Sequence, residues 1–234
     1  MSGPASRLRE NVVVAIDGPS GSGKSSTSRG VADRLGLRYL DTGAMYRAIT
    51  WWMLRQGVDV HDPAAVAARV EEPEILSGTD PLGPTILVDG VDVGLAIRSD
   101  EVNAAVSPVA AVPAVRQRLL ELQHEIIGTG GIVVEGRDIG SVVAPDADVK
   151  VFLTADAAAR AHRRALEEGG ADIEATRESL LARDEIDTGR TASPLVMADG
   201  AVHVDGTAYS LEDVVDLVVS LVEAAAGLNR EGTP

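Results

Sequence analysis

Asn11-Val-Val-Val-Ala-Ile-Asp17 runs without a break into Gly18-Pro-Ser-Gly-Ser-Gly23-Lys24-Ser25. The first half is a short, continuous run of mostly β-branched apolar side chains, the pattern of a strand buried on both faces of a parallel sheet. The second half meets G-x-x-x-x-G-K-[ST] at every required place. A helical pattern follows to Leu35, with Gly36 as its C-cap. Phosphate binding needs these residue types. Glycine lets the backbone curl so that successive N–H groups face an anion, and the helix N-terminus adds partial positive charge. Lys24 is placed to reach the β- and γ-phosphates, and the Ser25 hydroxyl to ligate Mg²⁺. The candidate nucleotide-binding residues are therefore Gly18, Pro19, Ser20, Gly21, Ser22, Gly23, Lys24, Ser25 and Ser26.

Outward from this loop the chain continues in βα rhythm. Arg38 to Leu40 reads as a strand, and Thr42 is expected to cap a helix running to about Gln56. The rhythm breaks from about Asp59 to Ser107, which is rich in Pro, Gly and Asp. There, Thr85 to Val93 reads as a hairpin turning at Asp89-Gly90. Pro113 opens a helix to about Ile127. Ile132 to Val134 and Val149 to Leu153 are two more buried strands. Asp156 caps a helix to about Glu168, Gly169-Gly170 breaks it, and a polar helix spans Asp172 to about Asp187. Ala201 to Val204 is a last strand, and Ser210-Leu-Glu-Asp213 is a capping box for the final helix. The organisation expected is an α/β P-loop core at 1–58, 108–160 and 191–227. An insertion with its own small antiparallel sheet occupies 59–107, a lid 161–190 and a frayed tail 228–234.

Composition narrows the function classes. The 234 residues carry a net charge of −15, from 21 basic and 36 acidic side chains. A field of that sign repels DNA, RNA and anionic membranes, so none of these is an expected partner. The chain has no Cys, which removes disulfides, zinc fingers and thiol chemistry and suits a reducing cytoplasm. No apolar run approaches the roughly 18 residues of a membrane span, and the N-terminus lacks the apolar core of a signal peptide. Only Lys24 and Lys150 are lysines; every other cation, His aside, is an arginine. One of just two lysines thus stands in the phosphate loop.

The arginines form a second set. Arg47 follows Thr42 by just over one helical turn, Arg116 lies in the helix after Pro113, and Arg137-Asp138 follows a buried strand. That last place is the carboxyl edge where open α/β sheets bind ligands. Arg160, Arg163 and Arg164 share one helix, and Arg183, Asp187 and Arg190 cluster near the end of the next. For Arg163 and Arg164 a solvated helix face is the competing reading. Arg183, Asp187 and Arg190 could be helix ion pairs, and Arg137-Asp138 a structural pair. Trp51-Trp52 reads as core packing. The four histidines show no metal spacing. No N-K-x-D motif follows, so a GTPase is not indicated. Glu135 after Ile132-Val-Val134 faintly imitates the acidic residue of an ATPase strand.

Taken together, these segments resemble the bacterial cytidylate kinases. The matching stretches are Ile16 to Lys24, Asp41-Thr-Gly-Ala-Met-Tyr-Arg47, Glu135-Gly-Arg-Asp-Ile-Gly140 and Pro145 to Leu153. Ala161-His-Arg-Arg164, Arg183 to Asp187, Arg190 and Pro194-Leu195 complete them. Two places differ from many relatives: Thr42 where Ser is common, and Glu135 where Asp is common. The resemblance implies a five-stranded parallel core, an enlarged monophosphate domain and a short lid. The activity it implies is transfer of the ATP γ-phosphoryl group to CMP or dCMP, with Mg²⁺, in pyrimidine nucleotide metabolism.

The same resemblance implies the site residues. Thr42, Arg47, Arg137 and Arg190 would hold the acceptor phosphate, Ser107, Arg116 and Asp138 would read cytosine, and Arg183 and Asp187 would meet the sugar. Lys24, Arg137, Arg164, Arg183 and Arg190 would neutralise charge during transfer, and Ser25 would ligate the metal. A monomer acting on small molecules in the cytoplasm is expected. Two alternatives stand beside this: a P-loop small-molecule kinase with another acceptor, such as a shikimate-type enzyme, and a regulatory ATPase with no second substrate.

Overall fold

The computed structural model of the chain describes residues 11–167, 172–189 and 195–231. Along the chain the elements are β1 (Val13–Asp17), α1 (Lys24–Leu35), β2 (Arg38–Asp41), α2 (Thr42–Arg55), α3 (Pro63–Ala68), β3 (Ile75–Ser77), β4 (Ile86–Val88) and β5 (Val91–Asp92). They continue as α4 (Asp100–Ala110), α5 (Pro113–Ile127), β6 (Ile132–Gly136), β7 (Val149–Thr154), α6 (Ala157–Glu167), α7 (Ile173–Gly189), β8 (Val202–Asp205) and α8 (Leu211–Glu231). A short 3₁₀ turn covers Ala96–Arg98, and a π-helical turn covers Ile139–Val143. Contacts divide the chain into two compact units. One contains the residues up to Tyr39 and those from Thr129 onward, and the other is Leu40–Gly128.

The first unit is built on a five-stranded parallel sheet in the order β2-β6-β1-β7-β8. β1 is central and runs parallel to both β6 and β7, pairing Ile16 with Glu135 and with Val151. A strand with helices over both its faces must be apolar throughout, and Val14, Ala15 and Ile16 are all fully buried. On one side, Val14, Ile16, Val133, Val151 and Leu153 pack with Val31 of α1 and Val215, Val218 and Val222 of α8. Each such side chain contributes about 1.5–3 kcal/mol by leaving water. The predicted box that opens α8 is present in both directions: Asp213 N–H donates to Ser210 Oγ at 3.2 Å, and Ser210 N–H donates to Asp213 Oδ2 at 3.1 Å. α8 runs on to Glu231.

The second unit holds the small antiparallel sheet β3-β4-β5. Its β4–β5 turn places Asp89 at φ 51° and Gly90 at φ 77°, the left-handed pair that a two-residue hairpin loop requires. α2 buries Met45, Ala48, Ile49, Trp52 and Met53. Of the two tryptophans expected in the core, Trp52 is buried, with its indole N–H donating to Asp89 Oδ2 at 2.9 Å, while Trp51 is only half-buried.

Two local expectations are corrected. The cap of α2 is Asp41, whose Oδ1 accepts from Ala44 N–H at 2.9 Å, while Thr42 is already the first helical residue. The stretch from Asp59 to Ser107 is also more regular than its composition indicates. Asp62 caps α3 with Pro63 at its first position, and Ser99 caps α4, which continues through Pro108. Residues that look like turn formers act here as helix starts. Among the described residues, no helix is long and apolar enough to cross a membrane.

Candidate active site

The phosphate loop joins the carboxyl end of β1 to α1, as its sequence requires. Gly18 has φ 151°, and a Cβ placed there would lie 2.0 Å from the Leu153 carbonyl oxygen. Only glycine lets the loop pass that close to β7. Four loop carbonyls are met by basic groups. Arg137 Nη1 donates to Gly18 O at 2.8 Å, and Lys24 Nζ to Pro19 O at 2.7 Å. Arg160 Nη1 donates to Ser20 O at 3.0 Å, and Arg163 Nη1 to Ser22 O at 3.4 Å. Arg163 also holds the Gly206 carbonyl through Nη2 at 2.7 Å. Arg163 is thus no solvated helix face. It buttresses the loop from α6, on which Arg164 is half-buried.

Beside the loop, the Ser25 hydroxyl donates to Glu135 Oε2 at 3.0 Å, and the Tyr39 hydroxyl donates to Glu135 Oε1. Glu135 is buried at the end of β6, next to β1. A hydroxyl and a carboxylate together offer hard oxygen atoms of the kind Mg²⁺ takes. Among the described residues there is no cluster of three or more acidic or histidine side chains that could hold a metal by themselves.

Asp17, the last residue of β1, braces the other side of the site. Its two carboxylate oxygens accept from Ile139 N–H and Gly140 N–H, each at 2.8 Å. These bonds pin the π-helical turn that follows Arg137-Asp138. Burial pushes the Asp17 carboxyl up to about 6, with Asp138 adding to the rise. The two amide donors and Lys24 oppose it. Asp138 itself is buried.

The remaining candidates divide between the two units. Arg137, Asp138 and Arg164 lie in the first unit; Thr42, Arg47, Ser107 and Arg116 lie in the second. In the second, Thr42 and Ser107 are buried on α2 and α4. Arg47 donates to Asn103 Oδ1 at 2.6 Å and to the Ile97 carbonyl at 3.2 Å. Arg116 stacks over the Tyr46 ring with its guanidinium 5.7 Å from the centroid. Arg183 and Asp187 contribute backbone to α7, but their side chains lie outside the described residues, as do Arg190 and Gly169-Gly170.

Sequence reasoning left Asp17, Arg160 and Asp184 without a role, and gave Glu135 only a faint one. For Glu135 and Asp17 a signal existed: an acidic residue ending an apolar strand next to a phosphate loop. For Asp184, nothing in its local sequence separates it from other acidic residues of a polar helix.

Comparison with known proteins agrees with this geometry. The family model described as cytidylate kinase matches residues 14–224. A cytidylate kinase of Streptomyces coelicolor is 61% identical over 214 residues, covering 91% of this chain and 93% of its own. One of Streptomyces avermitilis is 58% identical over 225 residues, covering 95% and 97%. Among solved structures, a shikimate kinase from Acinetobacter baumannii aligns with TM-score 0.48 at 13% identity, covering 94% of this chain and 98% of its own. The match over nearly the whole length, together with the phosphate loop and its Glu135 partner, places this chain in the cytidylate kinase family.

Proposed function

We propose that the chain transfers the γ-phosphoryl group of ATP to CMP or dCMP, giving ADP and CDP or dCDP. The observation that supports this most directly is the phosphate loop between β1 and α1, with Lys24 bonded to the loop carbonyl of Pro19 and Ser25 bonded to Glu135 of β6, in a chain of this family. An oxygen of the acceptor phosphate forms the new bond to Pγ as the bond to the β-phosphate oxygen breaks, and ADP leaves. The second pKa of a phosphate monoester is about 6, so the acceptor is largely dianionic at neutral pH and needs no general base. The barrier is repulsion between anions, which the chain offsets with fixed positive groups. Lys24 and Arg137 serve at the loop, with Arg164, Arg183 and Arg190 as further members of the set. The Ser25 hydroxyl, with Glu135 beside it, would hold Mg²⁺, which supplies further positive charge to the donor phosphates.

Thr42, Arg47, Arg137 and Arg190 are the proposed acceptor-phosphate residues, and Arg183 and Asp187 the proposed sugar residues. Asp138 and the Ser107 hydroxyl can accept from the cytosine amino group, while Arg116 donates to ring acceptors. Uracil would set a carbonyl oxygen against the Asp138 carboxylate. Residues 161–190 are the proposed lid, which excludes water so that ATP is not hydrolysed.

One coupled assay tests the reading: ATP with CMP, dCMP, UMP, AMP, GMP or shikimate, or with no acceptor. The expected result is turnover with CMP and dCMP well above the others. Equal kcat/KM for CMP and UMP would overturn the base reading. Phosphorylation of shikimate, or ATP hydrolysis with no acceptor dependence, would favour the alternative classes.

A further inference from the structure

The hairpin of α6 and α7 sits directly on the phosphate loop. A Cβ added at Gly21 would meet Arg160 Cβ and the Arg160 carbonyl oxygen at 3.2 Å each, and Leu180 Cδ1 at 3.4 Å. Loop and hairpin are therefore in van der Waals contact through both helices. At the same place, Asp184 of α7 accepts from Ser20 N–H at 3.3 Å and pairs with Arg160 of α6. The Nη1 of Arg160 that makes this pair also donates to the Ser20 carbonyl at 3.0 Å. One ion pair thus takes both backbone polar groups of a single loop residue. The pair is largely shielded from water, with side-chain exposures of 7% and 17%. Removing one member would leave the other charge under-compensated.

The peptide plane turns this grip into an orientation. In a trans peptide, the C=O of one residue and the N–H of the next point in opposite directions. Holding the Ser20 carbonyl toward Arg160 therefore aims the Gly21 amide away from the hairpin. Holding the Ser22 carbonyl toward Arg163 does the same for the Gly23 amide. Amides turned that way are what a phosphate-binding loop needs to present.

We propose that Asp184 and Arg160 are positioning residues for ATP: their ion pair clasps Ser20 and holds the phosphate loop in the shape that receives the triphosphate. The inference rests on the reading of this loop as the ATP site. It also runs against bare electrostatics, since a carboxylate this close to a polyanion site repels the ligand by charge alone. Deleting Asp184 should tighten ATP binding if charge is all that matters, and weaken it if the clasp matters more.

The test is the ATP dissociation constant of the full chain, measured calorimetrically without acceptor, alongside that of CMP measured without ATP. Asp184→Ala and Arg160→Ala are each expected to weaken ATP about tenfold, the scale of a lost charged hydrogen bond. CMP affinity should be unchanged, and Tm, though lowered by the unpaired charge, should stay well above the temperature of the binding measurement. Combining the two substitutions should cost little more than either alone, because they share one clasp. Arg160→Lys is the rescue, since Nη1 alone makes both contacts and a single ammonium can replace it; ATP affinity should stay within about threefold. Should Asp184→Ala fold poorly, Asp184→Asn keeps the volume and an acceptor for Ser20 N–H but loses the ion pair, and is expected to weaken ATP about threefold. ATP binding unchanged or tighter in the Asp184 variants overturns the proposal, as does a parallel loss of ATP and CMP affinity with a lowered Tm. Wild-type chain that binds no ATP would instead fail the reading of the loop, and the proposal with it.

Discussion

The Ser25 hydroxyl donates to Glu135 Oε2 at 3.0 Å, joining residues 110 positions apart, one in the first turn of α1 and the other near the end of β6. Tyr39 donates to the other oxygen of the same carboxylate. Glu135→Ala would leave two hydroxyls without their acceptor. The expected result is a lowered Tm, a kcat reduced about tenfold or more, and a raised Mg²⁺ requirement. Activity titrated against Mg²⁺ checks this, and a wild-type Mg²⁺ profile would remove Glu135 from the proposed metal site.

Arg137→Ala is expected to lower kcat/KM by well over about tenfold with the fold intact, because a fixed positive charge is lost where negative charge gathers. Steady-state kinetics with circular dichroism as a folding control measures it. Near-normal turnover would count against the phosphate role and favour a structural one, such as its bond to the Gly18 carbonyl.

Asp17 makes stability depend on pH in an unusual direction. Its pKa rises from 3.8 to about 6 on folding, chiefly through burial, so the native state holds this proton more tightly than the unfolded chain. Its stability contribution is therefore fully present below about pH 4 and is lost as pH rises through about 6. The full difference is about 3 kcal/mol, to order of magnitude. Urea denaturation from pH 4 to 7 should show wild type losing more stability than Asp17→Asn across this window. Parallel curves would show that Asp17 does not titrate there.

Gly18→Ala is expected to abolish soluble folding or cost more than about 3 kcal/mol, since its Cβ would stand 2.0 Å from the Leu153 carbonyl oxygen. Soluble yield and Tm report the result. A variant with wild-type Tm would mean that β1 and β7 can separate at this point.

Amide exchange in residues 161–189 should slow when ATP and CMP are added together, as expected of a segment that closes over substrates. Unchanged exchange would argue against the lid assignment.

Much of this site was legible in the sequence because its signals are local. A phosphate loop needs glycines at set spacing, a buried parallel strand needs an unbroken apolar run, and a hairpin turn needs Asp-Gly. Each of these can be read within about ten residues. The misreadings came where one residue type serves two purposes. Asp41 and Thr42 are both good caps, and the backbone chose Asp41, which is still extended at φ −91° and ψ 95°. Asp62, Pro63 and Ser99 suit turns and helix starts alike, and only the packing of α3 and α4 decides between them.

The sequence by itself determined the loop, the α/β class and the residue types available for phosphate chemistry, because these follow from backbone preferences and hydrophobic period. Only the tertiary structure decided which distant groups meet. The register that sets Ile16 beside Glu135 also brings that carboxylate to Ser25, and a one-residue slip would turn it to the opposite face of the sheet. Arg160 and Asp184 reach Ser20 across 140 and 164 residues, and Asp17 reaches the turn after Asp138 across more than a hundred. Such meetings depend on strand order and helix packing, which depend on the whole core rather than on any local stretch of chain.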